Sequence, residues 1–469
     1  MSADNTEKAA GKNRKFKGNA KGGGAPRPAA PSKPGLAARA AAAKILAAVI
    51  DRKTPLDGML DAEGGNPAYR ALSESDRALV RAILNSALRH LPRIEAAISS
   101  LLESPLPDGA RALHHVLVVG AAQILYLAVP DHSAVDLAVE QANQDPRNRR
   151  FAKLVNAILR RLGREKEDIL ARVADVPAMP TWFLERLEAA YGREAALKVS
   201  EAQLEPAAID LTVKGDAEGW ASRLNGTVLP TGGVRLAAFD GAIPSLEGFS
   251  EGAWWVQDAA ASIPAKLFGP IAGKSVVDLC AAPGGKTAQL VLAGAKVTAL
   301  EQSANRMKRL SANLARLGFE AETVQSDMAK YEPAELFDAA LLDAPCSSTG
   351  TTRRHPDVLW TKGPEDIAKL AALQERLLRH ALTLVRPGGI VVFSNCSLDP
   401  EEGEALVARV LSDTATVERV PIRAADWPGL EEAITPAGEF RTLPTMLHPG
   451  EGFSSGLDGF YAAVLRRVS

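Results

Sequence analysis

Two of the three cysteines of this chain follow short apolar runs that are typical of buried parallel strands. The run FDAALLDAPC ends at Cys346, and the run IVVFSNC ends at Cys396. The carboxyl ends of parallel strands meet at one edge of an open α/β sheet, where ligands bind, and a thiolate there can attack a substrate covalently. A free cysteine is usually a small buried apolar residue, but two at the same edge, one of them close to Asp343, favour catalysis.

A loop of small residues between a strand and a helix predicts a ligand site. The stretch VVDLCAAPGGKT, residues 276–287, contains the end of a strand, a tight turn and the start of a helix at Lys286. Its last residues match a P-loop, but Cys280 stands where a P-loop has glycine, and Pro283 lacks an N–H that could bind phosphate. The loop therefore favours an uncharged or cationic nucleotide-like ligand, for which S-adenosylmethionine is our candidate. An ordinary αβ turn is the alternative, and Cys280 itself is expected to be structural.

The composition indicates a protein of several domains in a reducing compartment. A length of 469 residues predicts two or three domains. Three cysteines, no two of them close in sequence, predict neither a disulfide framework nor a cysteine-rich zinc site, and we expect no bound metal. The sequence contains neither an apolar run of about eighteen residues nor a signal-peptide pattern, so we expect a cytoplasmic monomer that does not bind membranes.

Changes in composition and periodicity divide the chain into four parts. Residues 1–35 form a basic tail rich in Gly, Ala and Pro, which we expect to be disordered. Residues 36–165 place apolar side chains at three- and four-residue spacing and predict an all-α domain, with Ser75 and Asp76 starting one of its helices. Residues 166–255 predict a small α+β connecting element. From residue 256 to residue 469, strands and helices are expected to alternate to the end, as a Rossmann-like α/β methyltransferase sheet requires.

Basic residues are concentrated at two places that could attract nucleic acid. Residues 1–39 contain nine Lys or Arg and two Asp or Glu, although the whole chain has a net charge of -1. A second group has seven cations and no acid within residues 147–164. We predict that Arg149, Arg150 and Arg161 of this group bind RNA phosphates. The alternative is a solvated surface, and a merely solubilising role is equally open for the tail.

Three longer motifs resemble those of a known family. The segments VVDLCAAPGGKT, LLDAPCSSTGTTRRHPDVLW and FSNCSLDPEEGE are similar to the Fmu/Sun family of RNA cytosine-5 methyltransferases. The resemblance covers nearly the whole chain after the tail. The helical part resembles the transcription factor NusB, and this combination is typical of the RsmB branch, which methylates a cytosine of small-subunit (16S) ribosomal RNA. This chain departs from the family at Asn395, where a threonine often precedes the cysteine.

The resemblance implies a role for each residue at the sheet edge. Cys396 would attack carbon 6 of the cytosine, and Cys346 would release the product. Asp343 would form a hydrogen bond with ring atom N3 and contact the cofactor amine, while Lys286 would stabilise negative charge in the base. Sequence position alone does not decide which cysteine attacks, because both end strands at the same edge.

The same resemblance places S-adenosylmethionine against the first loop of the sheet. The residues of this loop are Cys280, Ala281, Ala282, Pro283, Gly284, Gly285 and Lys286. Glu301 stands twenty-three residues after Asp278, close to the ~20 expected of a ribose-binding acid. Asp327 would bind the adenine amine, although a carboxylate that caps a loop is the alternative.

The last predictions concern the basic residues after Cys346 and two alternative functions. Arg353, Arg354 and His355 could hold RNA phosphate; a salt-bridge cluster is the alternative. An amine methyltransferase normally has Asp/Asn-Pro-Pro-aromatic where this chain has Asp343-Ala-Pro-Cys346. A non-catalytic RNA-binding assembly factor would not need both cysteines. The sequence leaves open whether the substrate is 16S ribosomal RNA, another ribosomal position or tRNA.

Overall fold

The computed structural model describes residues 33–237, 239 and 241–469. The basic tail expected over residues 1–35 lies, up to residue 32, outside the described residues. The first part of the described chain is helical. Its helices are α1 (Leu36–Arg52), α2 (Leu56–Met59), α3 (Pro67–Arg70), α4 (Glu74–Arg89), α5 (Leu91–Leu101), α6 (Arg111–Tyr126), α7 (Asp131–Gln144), α8 (Ala152–Arg164), α9 (Lys166–Val173), α10 (Thr181–Tyr191) and α11 (Arg193–Ala202).

The helical part is built around α6, which is buried on nearly all sides from Val116 to Leu125. Helices α1, α4, α5, α7 and α8 surround it. Gly120 of α6 lets α8 approach closely, because a β-carbon at this position would come within 2.7 Å of Leu159. The buried core also includes Ile169 and Val173 of α9, so it continues past residue 165, where the sequence predicted its end.

The start of α4 lies slightly earlier than the sequence suggested. The Ser73 hydroxyl accepts a hydrogen bond from the backbone N–H of Asp76 at 3.2 Å, and the helix begins at Glu74. Serine is a preferred residue at this capping position because its oxygen satisfies an N–H of the first turn. Ser75 and Asp76, which we expected to start the helix, lie within its first turn.

A small antiparallel sheet follows the helices. It consists of β1 (Asp210–Val213), β2 (Gly226–Val228), β3 (Val234–Leu236) and β4 (Trp254–Val256), in the order β2-β3-β1-β4, with α12 (Ala217–Arg223) between β1 and β2. Asp210 and Arg235 lie opposite each other across β1 and β3. Their buried side chains form a bidentate ion pair with N–O distances of 2.7 and 2.8 Å. The sequence predicted a small α+β connecting element over residues 166–255, and this sheet lies at the end of that range, after α9, α10 and α11.

The last part of the chain forms a large sheet. Its strands are β5 (Ser275–Asp278), β6 (Lys296–Glu301), β7 (Glu322–Gln325), β8 (Phe337–Asp343), β9 (Val385–Asn395), β10 (Val417–Arg419), β11 (Phe440–Thr442) and β12 (Phe460–Arg467). Its helices are α13 (Gly285–Leu292), α14 (Ala304–Leu317), α15 (Val358–Thr361), α16 (Pro364–Thr383) and α17 (Glu404–Asp413). Short 3-10 turns include Asp108–Ala110, Arg149–Phe151, Ile243–Ser245, Ala260–Ser262, Pro264–Lys266, Met328–Lys330, Thr349–Thr351, Pro400–Glu402, Ala424–Asp426 and Glu431–Ala433.

The strand order of the large sheet creates a ligand site between β5 and β8. The order is β10-β12-β9-β8-β5-β6-β7, with β11 paired to β12, and β5 to β9 run parallel. From β5 the chain proceeds to β6 and β7 on one side and then returns to β8 on the other. Such a reversal opens a crevice at the carboxyl ends of the strands, where the loop after β5 and Asp343 at the end of β8 lie.

The end of the chain differs from the expected alternation of strands and helices. After α17, the strands β10, β11 and β12 follow one another without an α-helix, and β12 runs antiparallel to β9, β10 and β11. The start of β12, from Phe460 to Leu465, is buried along its length. This apolar run is inserted between β9 and β10, so the sheet is mixed at this edge and not wholly parallel.

Candidate active site

A cleft of about 730 Å³ lies at the carboxyl ends of the parallel strands. Its wall includes seven residues that the sequence selected, namely Cys280, Ala282, Glu301, Asp327, Asp343, Cys346 and Cys396. Helix α16 covers one side of the cleft with Leu373, Arg376, Leu377 and His380. The structure therefore brings five of the ten predicted cofactor residues and both cysteines to one cavity. The other predicted cofactor residues, which do not line it, are Ala281, Pro283, Gly284, Gly285 and Lys286. No pattern in the sequence indicated the contribution of α16.

The loop after β5 is held in a fixed shape by α14. The Arg306 guanidinium donates a hydrogen bond to the carbonyl of Ala282, and the Asn313 amide donates one to the carbonyl of Pro283, both at 2.8 Å. Gly284 has a φ of 106°, and a β-carbon there would come within 2.7 Å of Leu310. The glycine is thus needed both for its backbone conformation and for the approach of α14.

A buried carboxylate that the sequence did not select supports this loop. Asp278 ends β5 and accepts a hydrogen bond from the Thr287 hydroxyl at 2.7 Å, which ties the strand to the first turn of α13. Burial raises the pKa of Asp278 to about 6, against the opposing effect of the Thr287 hydrogen bond. The only signal in the sequence was an acidic residue within an otherwise apolar strand.

Glu301 and Asp327 face the cleft from neighbouring strand ends. Glu301 is buried and accepts a hydrogen bond from the backbone N–H of Ser303 at 2.9 Å, with Arg306 at 3.4 Å from its other oxygen. Asp327 accepts a hydrogen bond from the backbone N–H of Ala329 at 3.1 Å. Asp327 is therefore both a cap of the turn that follows it and part of the cleft wall, so the two alternatives for this residue are compatible.

Asp343 and Lys286 form an ion pair beside the cleft. The Lys286 ammonium lies 2.7 Å from Oδ2 of Asp343, and the Ser394 hydroxyl donates a hydrogen bond to Oδ1 at 2.9 Å. The same ammonium lies 5.1 Å from the centre of the Phe460 ring, a cation–π contact. Both oxygens of the carboxylate are thus oriented by contacts from different parts of the sheet. Lys286 acts on the cleft through Asp343, since it is not itself part of the wall.

The two cysteines are brought together although fifty residues separate them in sequence. Their sulfurs lie 3.4 Å apart, which is a hydrogen-bond distance for sulfur and not a disulfide bond. The hydrogen bond to Cys396, followed by burial, raises the pKa of Cys346 well above its ordinary value. Burial also raises the pKa of Cys280, which agrees with a structural role for that thiol.

A hydrogen-bonded group beneath the cysteines explains why this chain can have Asn395. The Asn395 side chain is buried and donates a hydrogen bond to the backbone carbonyl of Glu402 at 2.7 Å. Its carbonyl oxygen accepts one from the backbone N–H of Ser397 at 3.0 Å. Asn395 therefore fastens the loop that carries Cys396.

The structure corrects the expectation that Arg353 holds RNA phosphate. Arg353 is 3% exposed, and its guanidinium donates hydrogen bonds to the backbone carbonyls of Pro206 and Ser455 at 3.1 and 3.0 Å. Its own carbonyl accepts a hydrogen bond from Arg89 of α4 at 3.0 Å. Because these groups come from three parts of the chain, Arg353 joins the helical part, the linker and the C-terminal loop.

Arg354 and His355 are likewise occupied by acidic partners. The Arg354 guanidinium forms ion pairs with Asp258 and, at 3.1 Å, with Asp458. His355 lies 3.6 Å from Asp57, whose hydrogen bond raises the pKa of the imidazole. The salt-bridge alternative is therefore the arrangement found, and the phosphate-binding role of Arg354 stays a prediction.

The three cations selected on the helical part are exposed. Arg149 donates a hydrogen bond to the carbonyl of Asn143 at 3.0 Å, and the Arg150 guanidinium lies 4.6 Å from the centre of the Phe151 ring. Arg161 pairs with Glu165 one helical turn later at 2.8 Å. An exposed pair of this kind contributes little to stability and can be exchanged for a phosphate. The role of these residues stays a prediction.

Known protein families match the C-terminal part and the helical part of the chain. Residues 265–466 match the family model "16S rRNA methyltransferase RsmB/F", and residues 36–164 match the NusB family. A ribosomal RNA small subunit methyltransferase B of Vibrio vulnificus is 34% identical over 447 residues, which is 91% of this chain and 98% of the relative. The protein of the same name from Pasteurella multocida is 32% identical, over 92% of this chain and 96% of the relative.

The chain belongs to the RsmB/F family of ribosomal RNA methyltransferases. The resemblance suggested by the three sequence motifs is thereby confirmed, and so is the expectation of an RNA methyltransferase that uses S-adenosylmethionine. The crystal structure of PH0851 has a TM-score of 0.69 at 21% identity and covers 93% of this chain and 99% of that one, which confirms the fold.

Two properties of the described residues complete the comparison with the sequence-based expectations. Within the part of the chain that the structure describes, no helix is long and apolar enough to cross a membrane. Among the same residues, no group of three or more His, Cys, Asp or Glu is arranged to hold a metal ion.

Proposed function

We propose that this RNA methyltransferase forms 5-methylcytosine in 16S ribosomal RNA through a covalent bond between Cys396 and carbon 6 of the base. The observation that carries the proposal is the pair of sulfurs at 3.4 Å, at the ends of two adjacent strands. The ion pair of Asp343 and Lys286 stands at the end of one of these strands. An amine methyltransferase or an assembly factor without activity has no use for two thiols in this position.

The chemistry of the cleft wall fits S-adenosylmethionine. Three carboxylates, Glu301, Asp327 and Asp343, face the same cavity of about 730 Å³, and they favour a hydroxyl-rich or cationic ligand over a phosphate. Bound there, the cofactor would supply an electrophilic methyl group. Glu301 would hold the ribose hydroxyls and Asp327 the adenine amine, with the loop from Cys280 to Lys286 against the methionine part.

The base would be activated by the groups around Asp343. Carbon 5 of cytosine is a weak nucleophile until a thiolate adds to carbon 6 and converts the ring to an enamine. A hydrogen bond between Asp343 and ring atom N3 favours that addition. It requires a proton between the two atoms, because an ionised carboxylate only accepts hydrogen bonds. The Lys286 ammonium would stabilise the negative charge that develops in the ring.

The raised pKa of Cys346 supports a division of roles between the cysteines. In the free enzyme, the raised pKa favours the thiol form of Cys346, whose sulfur lies within hydrogen-bond distance of the Cys396 sulfur. Cys396 would be the sulfur that attacks carbon 6. When the Cys396 sulfur is bonded to carbon 6, that hydrogen bond weakens and Cys346 can lose its proton to solvent. Once carbon 5 carries the methyl group, the Cys346 thiolate removes the carbon 5 proton, the electron pair forms the double bond between carbons 5 and 6, and Cys396 leaves carbon 6 as the thiolate.

The helical domain, residues 36–165, would bind the RNA outside the cleft, with Arg149, Arg150 and Arg161 as the phosphate contacts. The reduced cysteines fit a cytoplasmic enzyme, and we propose that it acts as a monomer.

Bisulfite sequencing of RNA from a strain that lacks the gene tests this function. We expect one cytosine of 16S ribosomal RNA to lose its methylation and to regain it when the wild-type gene is restored, but not the Cys396→Ala gene. Loss at a tRNA position instead would assign the enzyme to another RNA. Unchanged methylation of 16S ribosomal RNA, of other ribosomal positions and of tRNA would contradict the proposal.

A further inference from the structure

A single buried carboxylate lies beneath both cysteine-bearing loops. Glu402 belongs to the 3-10 turn Pro400–Glu402 that follows β9 and is 0% exposed. It takes no part in the reaction proposed above, and it does not line the cleft. Burying an ionised carboxylate is costly unless hydrogen bonds compensate it, so its contacts indicate what the residue is for.

One set of contacts holds the loop that carries Cys346. Oε1 of Glu402 accepts a hydrogen bond from the backbone N–H of Ser347 at 2.9 Å, and Oε2 accepts one from the Ser347 hydroxyl. Ser347 is the residue directly after Cys346. The carboxylate therefore fixes both the backbone and the side chain next to this sulfur.

A second set of contacts holds the loop that carries Cys396. Oε2 of Glu402 accepts a hydrogen bond from the Ser397 hydroxyl at 2.6 Å, and Ser397 directly follows Cys396. The hydroxyls of Ser347 and Ser397 lie 3.1 Å apart. The two residues that follow the two cysteines are thus joined to each other through one carboxylate.

Helix α16 provides a third support. The Gln374 amide donates hydrogen bonds to Oε1 of Glu402 at 2.8 Å and to the carbonyl of Pro345 at 3.0 Å. Glu402 therefore receives its donors from three segments of the chain. Four hydrogen bonds satisfy the ionised form of the carboxylate, although burial raises its pKa.

We propose that Glu402 is the positioning residue that sets the separation of the two sulfurs and opposes a second negative charge at Cys346. The assignment of Cys396 as the nucleophile rests on the proposed function. The geometric part follows from the shared contacts with Ser347 and Ser397, because displacing either loop would break a buried hydrogen bond. The electrostatic part follows from the negative charge of Glu402 close to Cys346, which opposes a second negative charge there.

Other charged groups near the two loops do not replace this effect. The titratable or charged residues on the surrounding elements are Lys286 on α13, Asp343 on β8, Arg376 and His380 on α16, Cys396 and Asp399 after β9, and Arg441 on β11. Asp399 is paired with Arg186 at 2.5 Å and Arg441 with Glu404 at 2.6 Å. The pKa of Cys346 is raised by the hydrogen bond to Cys396, by burial and by the negative charges of Cys396 and Glu402.

The test is Glu402→Gln, which keeps the size of the side chain. The amide can still accept from the Ser347 N–H, but its nitrogen cannot accept from two hydroxyls and it has no charge. We expect calorimetry to show unchanged S-adenosylmethionine affinity and single-turnover RNA methylation to slow on the order of 10²-fold, the effect of a displaced reacting group. Glu401→Gln is the matched control, because Glu401 pairs with Arg186, and it should methylate at the wild-type rate.

A second measurement separates charge from position without RNA. In the Cys396→Ala background, the pH dependence of iodoacetamide labelling of Cys346, located by peptide mass spectrometry, reports when this thiol ionises. Adding Glu402→Gln should lower the midpoint, because it removes a negative charge close to this thiol. Adding Ser397→Ala, which removes one hydrogen bond and leaves the charge, should not lower it, whereas a merely loosened loop would lower it in both variants.

The outcomes distinguish this inference from the proposed function. Methylation by Glu402→Gln within twofold of wild type, or a labelling midpoint that does not fall, would overturn the inference. If Glu402→Gln does not fold, Glu402→Asp replaces it, because it keeps the charge but is too short to hold both loops. It should retain the midpoint and lose methylation. The wild-type enzyme could form no 5-methylcytosine while Glu402→Gln still lowers the labelling midpoint in the Cys396→Ala background. That result would contradict the proposed function alone.

Discussion

Lys286→Met separates activation of the base from binding of the cofactor. The Lys286 ammonium lies 2.7 Å from Asp343, and its side chain is 12% exposed. Methionine has nearly the same length and can keep the packing of the apolar stem, but it removes the charge and the hydrogen bond. Although the loop that ends at Lys286 would lie against the methionine part of the cofactor, the Lys286 side chain does not line the cleft. We therefore expect S-adenosylmethionine to bind to the variant as it does to the wild type.

The expected magnitude follows from the geometry of the ion pair. At 2.7 Å and an effective dielectric constant of about 20, the Coulomb attraction is about 6 kcal/mol. This is an upper limit, since Asp343 is 30% exposed and water screens the pair. The part that acts only in the transition state is smaller. Removing one group that stabilises developing charge typically costs about 3–4 kcal/mol, so the rate should fall by about 10²–10³-fold.

Single-turnover transfer of a labelled methyl group to RNA measures this loss, and calorimetry measures cofactor affinity. Lys296→Met is the matched control, because Lys296 is exposed at the start of β6, and its rate should equal that of wild type. A rate for Lys286→Met within fivefold of wild type would refute the electrostatic role. An equal loss of cofactor affinity would show that Lys286 binds the cofactor and does not act on the base.

Three further predictions concern the cysteines, the helical domain and the cofactor. Cys396→Ala should abolish methylation and any covalent RNA adduct, whereas Cys346→Ala should accumulate an adduct that survives a denaturing gel; the reverse pattern would exchange their roles. Replacing Arg149, Arg150 and Arg161 by Ala should weaken RNA binding and flatten its dependence on salt, with cofactor affinity unchanged; an unaltered salt slope would leave them a solvated surface. Calorimetry should detect binding of S-adenosylmethionine, and a signal for ATP alone would contradict the assignment of the cleft.

The sequence predicted the parts of the site that depend on local chain geometry. An apolar run followed by small or polar residues identified the ends of β5, β8 and β9, and parallel strands necessarily bring such ends to one edge. This reasoning located Asp343, Cys346 and Cys396 in a common cleft. It did not give the distance between the sulfurs, because that depends on how the two loops are held after the strands end.

Glu402 shows what local patterns do not reveal. It lies in the acidic segment DPEEGE, and a run of acids normally indicates a solvated surface. Its neighbour Glu401 is half-buried and pairs with Arg186, as such a pattern suggests. The two residues differ because the 3-10 turn Pro400–Glu402 directs only the second carboxylate towards Ser347 and Gln374. Those partners are 55 and 28 residues away in sequence, so spacing could not identify them.

Arg354 shows that local patterns are also a poor guide to RNA-binding residues. A basic pair close to a catalytic cysteine suggests a phosphate site, but Arg354 meets Asp258 and Asp458, which are 96 and 104 residues away in sequence. Burial and the charge of Asp258 raise the pKa of Asp458 to about 7. The ionised form of Asp458 is therefore stabilised by the positive charge of Arg354. Removing one partner from a buried ion pair is costly. A phosphate that binds Arg354 would have to displace it from its two acidic partners. Contacts with RNA phosphate therefore have to come from cations that remain exposed, and Arg149 and Arg150 of the helical domain meet this condition.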